Sequence, residues 1–550
     1  MPLAAGIQFQ KLASMRGRGQ QQATKPIFWP AMQGGINAVS AASAVPFQDA
    51  LLMVNMIPAE AGVKIRKGYV EYCTKVPLGD GIKTLIPFNQ AAVASPVDRL
   101  FAVTSDGIYD VSTAGAAPVK KFDFPIKSGN AGWCSWSHYT TIAGQFIVMC
   151  DEANGYHVYT ASTNTWAVGS ITGVTVGNLV HLMVWKNRIW LVERDTGTAW
   201  YLPVGQISGA APGGINDAKA FIFGNKFKFG GYLKSLWNWT LDGGEGVDDY
   251  LVALSSAGDM LVYQGTDPST VGTFNMKGSW YIGRMHAGRR QCGDMGGELL
   301  IATNYGVFQA SKLISGQPAT DETVSVSYKI NPRINAVAGR MSDTYGWELI
   351  FAPREQFIML VTPKETGFPQ LQFVYNTATR AWTTFNDLPV KTAVMWKNKL
   401  HIGTEDNRVV VYDGWLDKVF LNPADGAFEP VQWECLTSYQ GFNAPATFKR
   451  CQFLRPLFIG QANPNYKIVA RYDFNLSPPA GSPIFPPTAG GVWGVAVWGF
   501  STWGGGYVVT QAPKGASGMG RYIALYLRGR SASELTHVGT DALFDMGGML

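Results

Sequence analysis

Along most of the chain, hydrophobic and polar residues alternate in short bursts that break at Gly, Asp or Asn. Residues 99–109, 144–150, 250–263 and 299–308 each read as an apolar or alternating strand, a turn with Gly at or near its tip, and a return strand. Helical spacing is missing nearly everywhere. From about Thr84 to Asp417 the same plan repeats, which predicts an all-β array. Upstream, the apolar run 51–57 (Leu51, Leu52, Met53, Val54, Asn55, Met56, Ile57) is too short for a helix and is closed by Pro58. It predicts an extended arm or edge strand. Residues 64–69 alternate charge with apolar side chains and predict a strand leading into the next domain.

Internal similarity sharpens the array. Residues 159–166 (Tyr159 to Trp166) resemble 375–382 (Tyr375 to Trp382), and each is followed by a second matching element, 183–189 around Trp185 and 394–400 around Trp396. Paired elements in the same order imply a duplicated supersecondary unit. Strand, turn, Trp and strand is the plan of a β-propeller blade with the aromatic packed between blades. About six four-stranded blades of roughly 45–55 residues fill the interval. The expected organisation is an N-terminal arm over residues 1–80, a β-propeller over 81–430, and a second, C-terminal β-domain over 431–550. That last part contains a Pro/Gly-rich section (477–490), a Trp-Gly repeat at Trp493, Trp498 and Trp503, and a final alternating strand at 521–528.

Composition supports this picture. At 550 residues the chain exceeds one ordinary core. Its 63 Gly, 30 Pro and 13% aromatics suit many short strands and tight turns. A 46% apolar and 15% charged make-up excludes a disordered chain and leaves much of the surface neutral and polar. The net charge of +6 is small, and Lys and Arg form no stripe of the kind a nucleic-acid binder concentrates. The densest basic spots, Arg16 with Arg18, Arg284 with Arg289 and Arg290, and Arg521 with Arg528 and Arg530, read as solvated surface. Cys73, Cys134, Cys150, Cys292, Cys435 and Cys451 lie too far apart for metal-ligand spacing and read as buried free thiols. No basic-then-apolar leader opens the sequence and no stretch has the length of a membrane span; residues 38–57 are broken by Gln48, Asp49 and Asn55. Synthesis in a cytoplasm with no membrane span is expected.

The search for chemistry returns little. The acidic segment 242–249 lacks the residue order of a calcium loop. Asp106, Asp151, Asp195, Asp259 and Glu348 include no marked pair for glycoside hydrolysis, and Asp at hairpin turns is turn chemistry. His138 beside Ser135 and Ser137 lacks nucleophile-elbow glycines, and no Gly-rich phosphate loop occurs. No catalytic residue, cofactor or metal ligand is expected. Trp493, Trp498 and Trp503, spaced by five, match neither a strand face nor a helix stripe; they are candidate packing or subunit-interface aromatics.

Two phrases carry a family resemblance. The first runs from Gly34-Gly-Ile-Asn37 through Leu52-Met-Val-Asn-Met-Ile-Pro58 to Gly62 and Arg66-Lys-Gly-Tyr69. The second runs from Arg528 to Thr536 with the closing Asp545-Met-Gly-Gly. Both resemble the ends of podovirus tail proteins called tail nozzle, tail tubular protein B or packaged-DNA stabilisation protein. The Trp ladder is similar to Trp-Asp ladders of related phage chains, but Gly replaces Asp here, so no role of that Asp carries over. The resemblance implies a non-enzymatic virion protein, a homo-hexameric ring at the distal end of a short tail, in which residues 1–80 supply the first part of a platform domain and residues 431–550 complete it. It would bind a tail adaptor or tubular protein and tail fibres or spikes, and let double-stranded DNA pass without sequence specificity. The rival expectations are a propeller glycan-binding protein or glycoside hydrolase acting on host surface polysaccharide, and a cellular repeat-type scaffold.

Overall fold

The computed structural model describes residues 24–90, 97–208, 218–240, 249–270, 272–461, 464–481 and 508–549. Six small sheets form a β-propeller, as the alternation predicts. Blade 1 spans 84–123, blade 2 134–168, blade 3 179–222 and blade 4 233–281. Each has four antiparallel strands in up-and-down order. Blade 5 (292–309) has three. Blade 6 pairs Thr392–Trp396, Lys399–Gly403 and Val409–Tyr412 with an outermost strand, Tyr69–Glu71, that precedes the whole propeller in sequence. The ring therefore closes with a strand borrowed from the N-terminal side. Between blades 5 and 6 a further four-strand run, 348–385, takes a place in the ring, and its outer strand continues into a larger sheet.

That larger sheet belongs to the platform, which both ends of the chain build. Asp49–Val54, Glu429–Thr437, Ile523–Ser531 and Asn465–Tyr472, with the short Gly35–Ile36 and Leu416–Asp417 beside them, extend it to ten strands. A second, eight-stranded sheet combines Thr24–Pro30, Met56–Ala59 and Gly62–Ile65 with Thr447–Gly460 and Leu535–Met549. The two sheets share one core, with Trp29, Met53, Ile65, Trp433, Cys451, Phe458, Leu527 and Phe544 buried between them. Trp493, Trp498, Trp503, Arg16, Arg18 and all of 242–249 except Asp249 lie outside the described residues. All six cysteines are free and buried.

The duplicated sequence unit straddles a blade boundary. Tyr159 faces Trp166 across the outer hairpin of blade 2, rings 5.4 Å apart, and Tyr375 faces Trp382 at 5.1 Å in the 348–385 run. The element that follows each is the inner hairpin of the next blade. Its tip is Lys186-Asn187 (φ 47° and 55°) in one copy and Lys397-Asn398 (φ 45° and 58°) in the other. A two-residue turn with both φ positive matches the twist of the strands it joins. Each lysine folds back over its own turn tryptophan, 5.1 Å from Trp185 and 4.4 Å from Trp396.

The run 51–57 is not one arm or edge strand: its first part is an interior strand and only its end, from Met56, enters an edge strand. Asp49–Val54 lies inside the ten-stranded sheet, beside Ala381–Phe385 and Glu429–Thr437, whereas Met56–Ala59 joins the other sheet. Asn55, at φ 58°, makes the switch. Its amide side chain donates to Asn386 Oδ1 at 2.7 Å and to the Gln432 carbonyl at 2.8 Å, and its Oδ1 accepts from Arg66 Nε at 2.9 Å. The expected strand at 64–69 is likewise divided: Gly62–Ile65 ends in the platform and Tyr69–Glu71 starts in the propeller, with Arg66 at the joint. Arg66 is fully buried and binds Asp417 through two parallel bonds of 2.8 and 2.7 Å. Burial opposes its charge, but the Asp417 carboxylate more than offsets that and raises its pKa. Gly68 is required because any Cβ there would lie 2.0 Å from the Leu416 carbonyl oxygen. At the other end of the first phrase, a Cβ on Gly34 would meet Asp49, whose carboxylate takes Asn37 Nδ2 at 2.9 Å and Lys329 Nζ at 2.9 Å.

Removing one partner of a buried, bidentate pair leaves an uncompensated charge. Asp417→Asn should therefore destabilise the full chain by about 3–5 kcal/mol in chemical denaturation, and R66M/D417L should recover most of that. A single-variant loss below about 1 kcal/mol would show that the joint is solvated.

Candidate functional site: the propeller channel

The first strand of each blade faces the central channel, and at one mouth these strands meet a segment that joins blade 4 to blade 5. Arg289 and Arg290 on this segment reach across the ring. Arg289 Nε bonds Glu152 of blade 2 at 2.8 Å while its Nη1 donates to the Lys234 carbonyl of blade 4. Arg290 Nη2 donates to the Lys83 carbonyl at 2.8 Å, and its Nη1 lies 3.3 Å from Thr392 Oγ1 of blade 6 and 3.4 Å from Glu348. Its guanidinium also sits 4.8 Å above the Trp133 ring. The expectation that Arg284, Arg289 and Arg290 are solvated surface fails for two of the three. Arg289 and Arg290 are staples inside the ring, because their partners Glu152 and Glu348 come from distant parts of the chain. Only Arg284 is exposed, paired with Asp343 at 2.8 Å.

The staples close the channel at this level. Around Trp133, Glu152, Arg289 and Arg290 only about 10 Å³ is open, about the room of one water. Tyr345, on the loop after helix Asn331–Met341, lies against Trp133 with ring centres 6.2 Å apart and divides the mouth into two clefts. The larger, about 830 Å³, contains Lys83 and Lys391. Both ammonium groups are satisfied there: Lys83 by Asp80 at 2.9 Å and the Ala131 carbonyl at 2.9 Å, Lys391 by Glu405 at 2.8 Å and the Asp80 carbonyl at 2.8 Å. The smaller, about 620 Å³, is walled by Tyr232, Tyr281 and Tyr345 and contains Arg284, Arg289 and Lys234.

Lys234 reaches that cleft through a β-bulge. On the inner strand of blade 4, Leu233 faces Ser255 and Ser235 faces Leu254, so Lys234 has no residue opposite and is turned out of the ladder. It is 4% exposed, and burial first, then the nearby Arg289, pull its pKa down to about 7. The same burial raises the pKa of Glu152 and of Glu348 above the ordinary carboxyl value.

The carboxylates singled out in the sequence are not brought together. Asp106, in its Ser-Asp-Gly turn, takes Lys120 at 2.6 Å and Lys127 at 2.9 Å, contacts that outweigh desolvation and hold it well below the usual carboxyl range. Asp151 accepts from the backbone of Gly132, Ala153 and Asn154, and Asp259 from that of Lys228 and Phe229. Asp195 occupies a left-handed turn, and Glu348 faces Arg290. Ser135 Oγ accepts from the Leu182 N–H and His138 Nε2 meets the Pro87 carbonyl, so both tie neighbouring blades. Among the described residues no group of three or more His, Cys, Asp or Glu is placed to hold a metal ion, and no helix is long and apolar enough to cross a membrane. Sequence reasoning passed over Lys234, Glu152 and Tyr345. The one signal available was a lysine between Leu233 and Leu236 in the strand Leu233–Thr240, which carries no other charge.

Histidines in the propeller and the platform give the fold a pH dependence. Burial lowers His157, and it lowers His181 to about 3 and His286, His401 and His537 each to about 4. Below the unfolded value of about 6.5 the unfolded chain takes up protons that these folded imidazoles refuse, so stability declines as pH falls from about 6.5 towards 4. His181, His286, His401 and His537 each contribute at most about 1.4 kcal/mol per pH unit there, and His157 acts in the same direction. The raised carboxyls Glu152 and Glu348 act in the opposite sense and offset only part of it. The urea midpoint should fall clearly between pH 7 and pH 5; an unchanged midpoint would mean that the rings are hydrated.

No family model and no curated protein matches the chain. Among solved structures, the computationally designed Ika8 protein is similar at 13% identity and a TM-score of 0.34, covering 62% of this chain and 99% of its own. The extracellular domain of a putative hybrid two-component system from B. thetaiotaomicron is similar at 11% identity and a TM-score of 0.38, covering 61% of this chain and 40% of that one. A second such domain from the same organism is similar at 11% identity and a TM-score of 0.35, covering 63% and 40%.

Proposed function

We propose that the chain is a ring-forming structural protein of a short phage tail, a nozzle whose copies surround the DNA exit path and hold packaged DNA in place. A propeller with a closed channel fits a structural or binding role. The observation that carries the finer reading is the outer face of the eight-stranded platform sheet. Phe28, Phe453, Ile459, Val509 and Met519 stay 36–61% exposed on it, in a chain whose charge is otherwise low. Such a face suits a neighbouring copy, and a head-to-tail contact between identical subunits closes a ring when its rotation allows. The stapled channel supports the same reading from the other side. A duplex cannot thread the propeller at the level of Arg289 and Arg290, so any conduit must lie between platforms, with propellers projecting outward to meet an adaptor, fibres or spikes. A glycan-binding propeller is the second reading, favoured by the tyrosine-walled cleft beside Lys234.

Light scattering of the purified chain, followed by electron microscopy, should find six-fold rings, alone or after mixing with the tail adaptor. Ile459→Lys should shift the population towards monomer while leaving the melting temperature within a few degrees. A monomer that ignores virion proteins and degrades polysaccharide would overturn the reading.

A further inference from the structure

We propose that the cleft at the propeller mouth is a binding site for a small anion, a carboxylate or phosphate group seated on the Lys234 ammonium between tyrosine walls. The argument starts from an imbalance. In the neighbouring cleft the buried lysines Lys83 and Lys391 have acceptors, and in this one Arg284 has Asp343 and Arg289 has Glu152. The Lys234 side chain makes no hydrogen bond or ion pair to the described residues, although the residue is 4% exposed and faces an open volume of about 620 Å³. Three basic groups thus meet two carboxylates, leaving the Lys234 amine without a counter-ion. A buried cation without a partner is costly, and an incoming anion removes that cost while gaining charge-assisted hydrogen bonds.

The backbone supports an assigned role. The bulge at Lys234 lifts the side chain out of the sheet and aims it at the cleft, a device that re-aims residues beside functional sites. Arg289 donates to the Lys234 carbonyl, which fixes the bulge and places a second cation beside the first. Tyr232, Tyr281 and Tyr345 add flat apolar faces with hydroxyl edges, the surface a sugar ring packs on. An acidic sugar and a phosphate share the anionic group but differ in the ring, so the walls separate the two. The site is complete in one chain and stands whether or not the protein forms rings.

Calorimetric titration of the full chain with sodium glucuronate and, separately, with inorganic phosphate tests this. Binding of either anion to the native protein is expected, weakened about tenfold or more by Lys234→Met, as loss of a hydrogen bond to a charged group implies. Tyr281→Ala, at the partly exposed wall, should weaken glucuronate and leave phosphate unchanged if the ligand is an acidic sugar, and should leave both unchanged if it is a phosphate. No heat with either anion at millimolar concentration on the native protein, which needs no variant to fold, would overturn the proposal. Equal affinity in a folded Lys234→Met protein would overturn it too.

Discussion

The buried pair between Arg66 and Asp417 is the contact through which every other part of this molecule is positioned. Arg66 stands between the last platform strand of the N-terminal segment and Tyr69–Glu71, the strand that completes blade 6; Asp417 stands where the chain leaves the propeller for the platform. One ion pair therefore joins the entry and exit of the propeller at a single point. Its guanidinium also bonds Asn55, the residue that passes the chain from one platform sheet to the other. In a low-dielectric setting such a pair is held less by its net contribution to stability than by the cost of every alternative, since any shift strands a charge. Geometry, more than energy, is what it supplies.

Ring closure repeats the device on a larger scale. Tyr69–Glu71 is fastened by Arg408, which takes Glu71 at 2.7 Å, Asp406 at 2.7 Å and Asp425 at 2.9 Å, with Phe420 beneath its guanidinium at 4.3 Å. Arg289 and Arg290 then bind across the channel what Arg408 binds at the rim. Arginine serves each place for one reason: a planar fork with five donors bridges several elements at once and keeps its charge when buried.

The fold was legible where local chemistry determines shape. The Lys-Asn turns beside Trp185 and Trp396, the Ser-Asp-Gly corner at Asp106 and the cross-strand Tyr-Trp pairs each carry their conformation within a few residues. Reading them predicts hairpins and then blades. It fails where the deciding partner is remote. Nothing near residues 51–57 reveals that Asn55 ends one strand and starts another, because the groups that hold it include Asn386, 331 positions on. The Arg289-Arg290 doublet looks like any hydrated basic spot until Glu152 and Glu348 are brought to it. Lys234 sits between two leucines in a strand, but only a bulge, set by pairing with the next strand, decides whether such a lysine reaches solvent, core or cleft.

Because the closing strand of the propeller is also the segment that leaves the platform, the two bodies are connected mechanically through it. A load that draws the platform away from the propeller runs through residues 66–71 on one path and through Ala381–Phe385, paired with Asp49–Val54, on the other. The strand it meets on the first path is the outermost of its sheet, held to Val409–Tyr412 along one edge and by a single bridge to Val419 along the other. The ring of blades thus has a seam at a defined place, and the seam lies under one of the two load paths. Strain arising at the platform, from whatever it is attached to, is delivered in part to the clasp of the propeller instead of being spread evenly around its circumference.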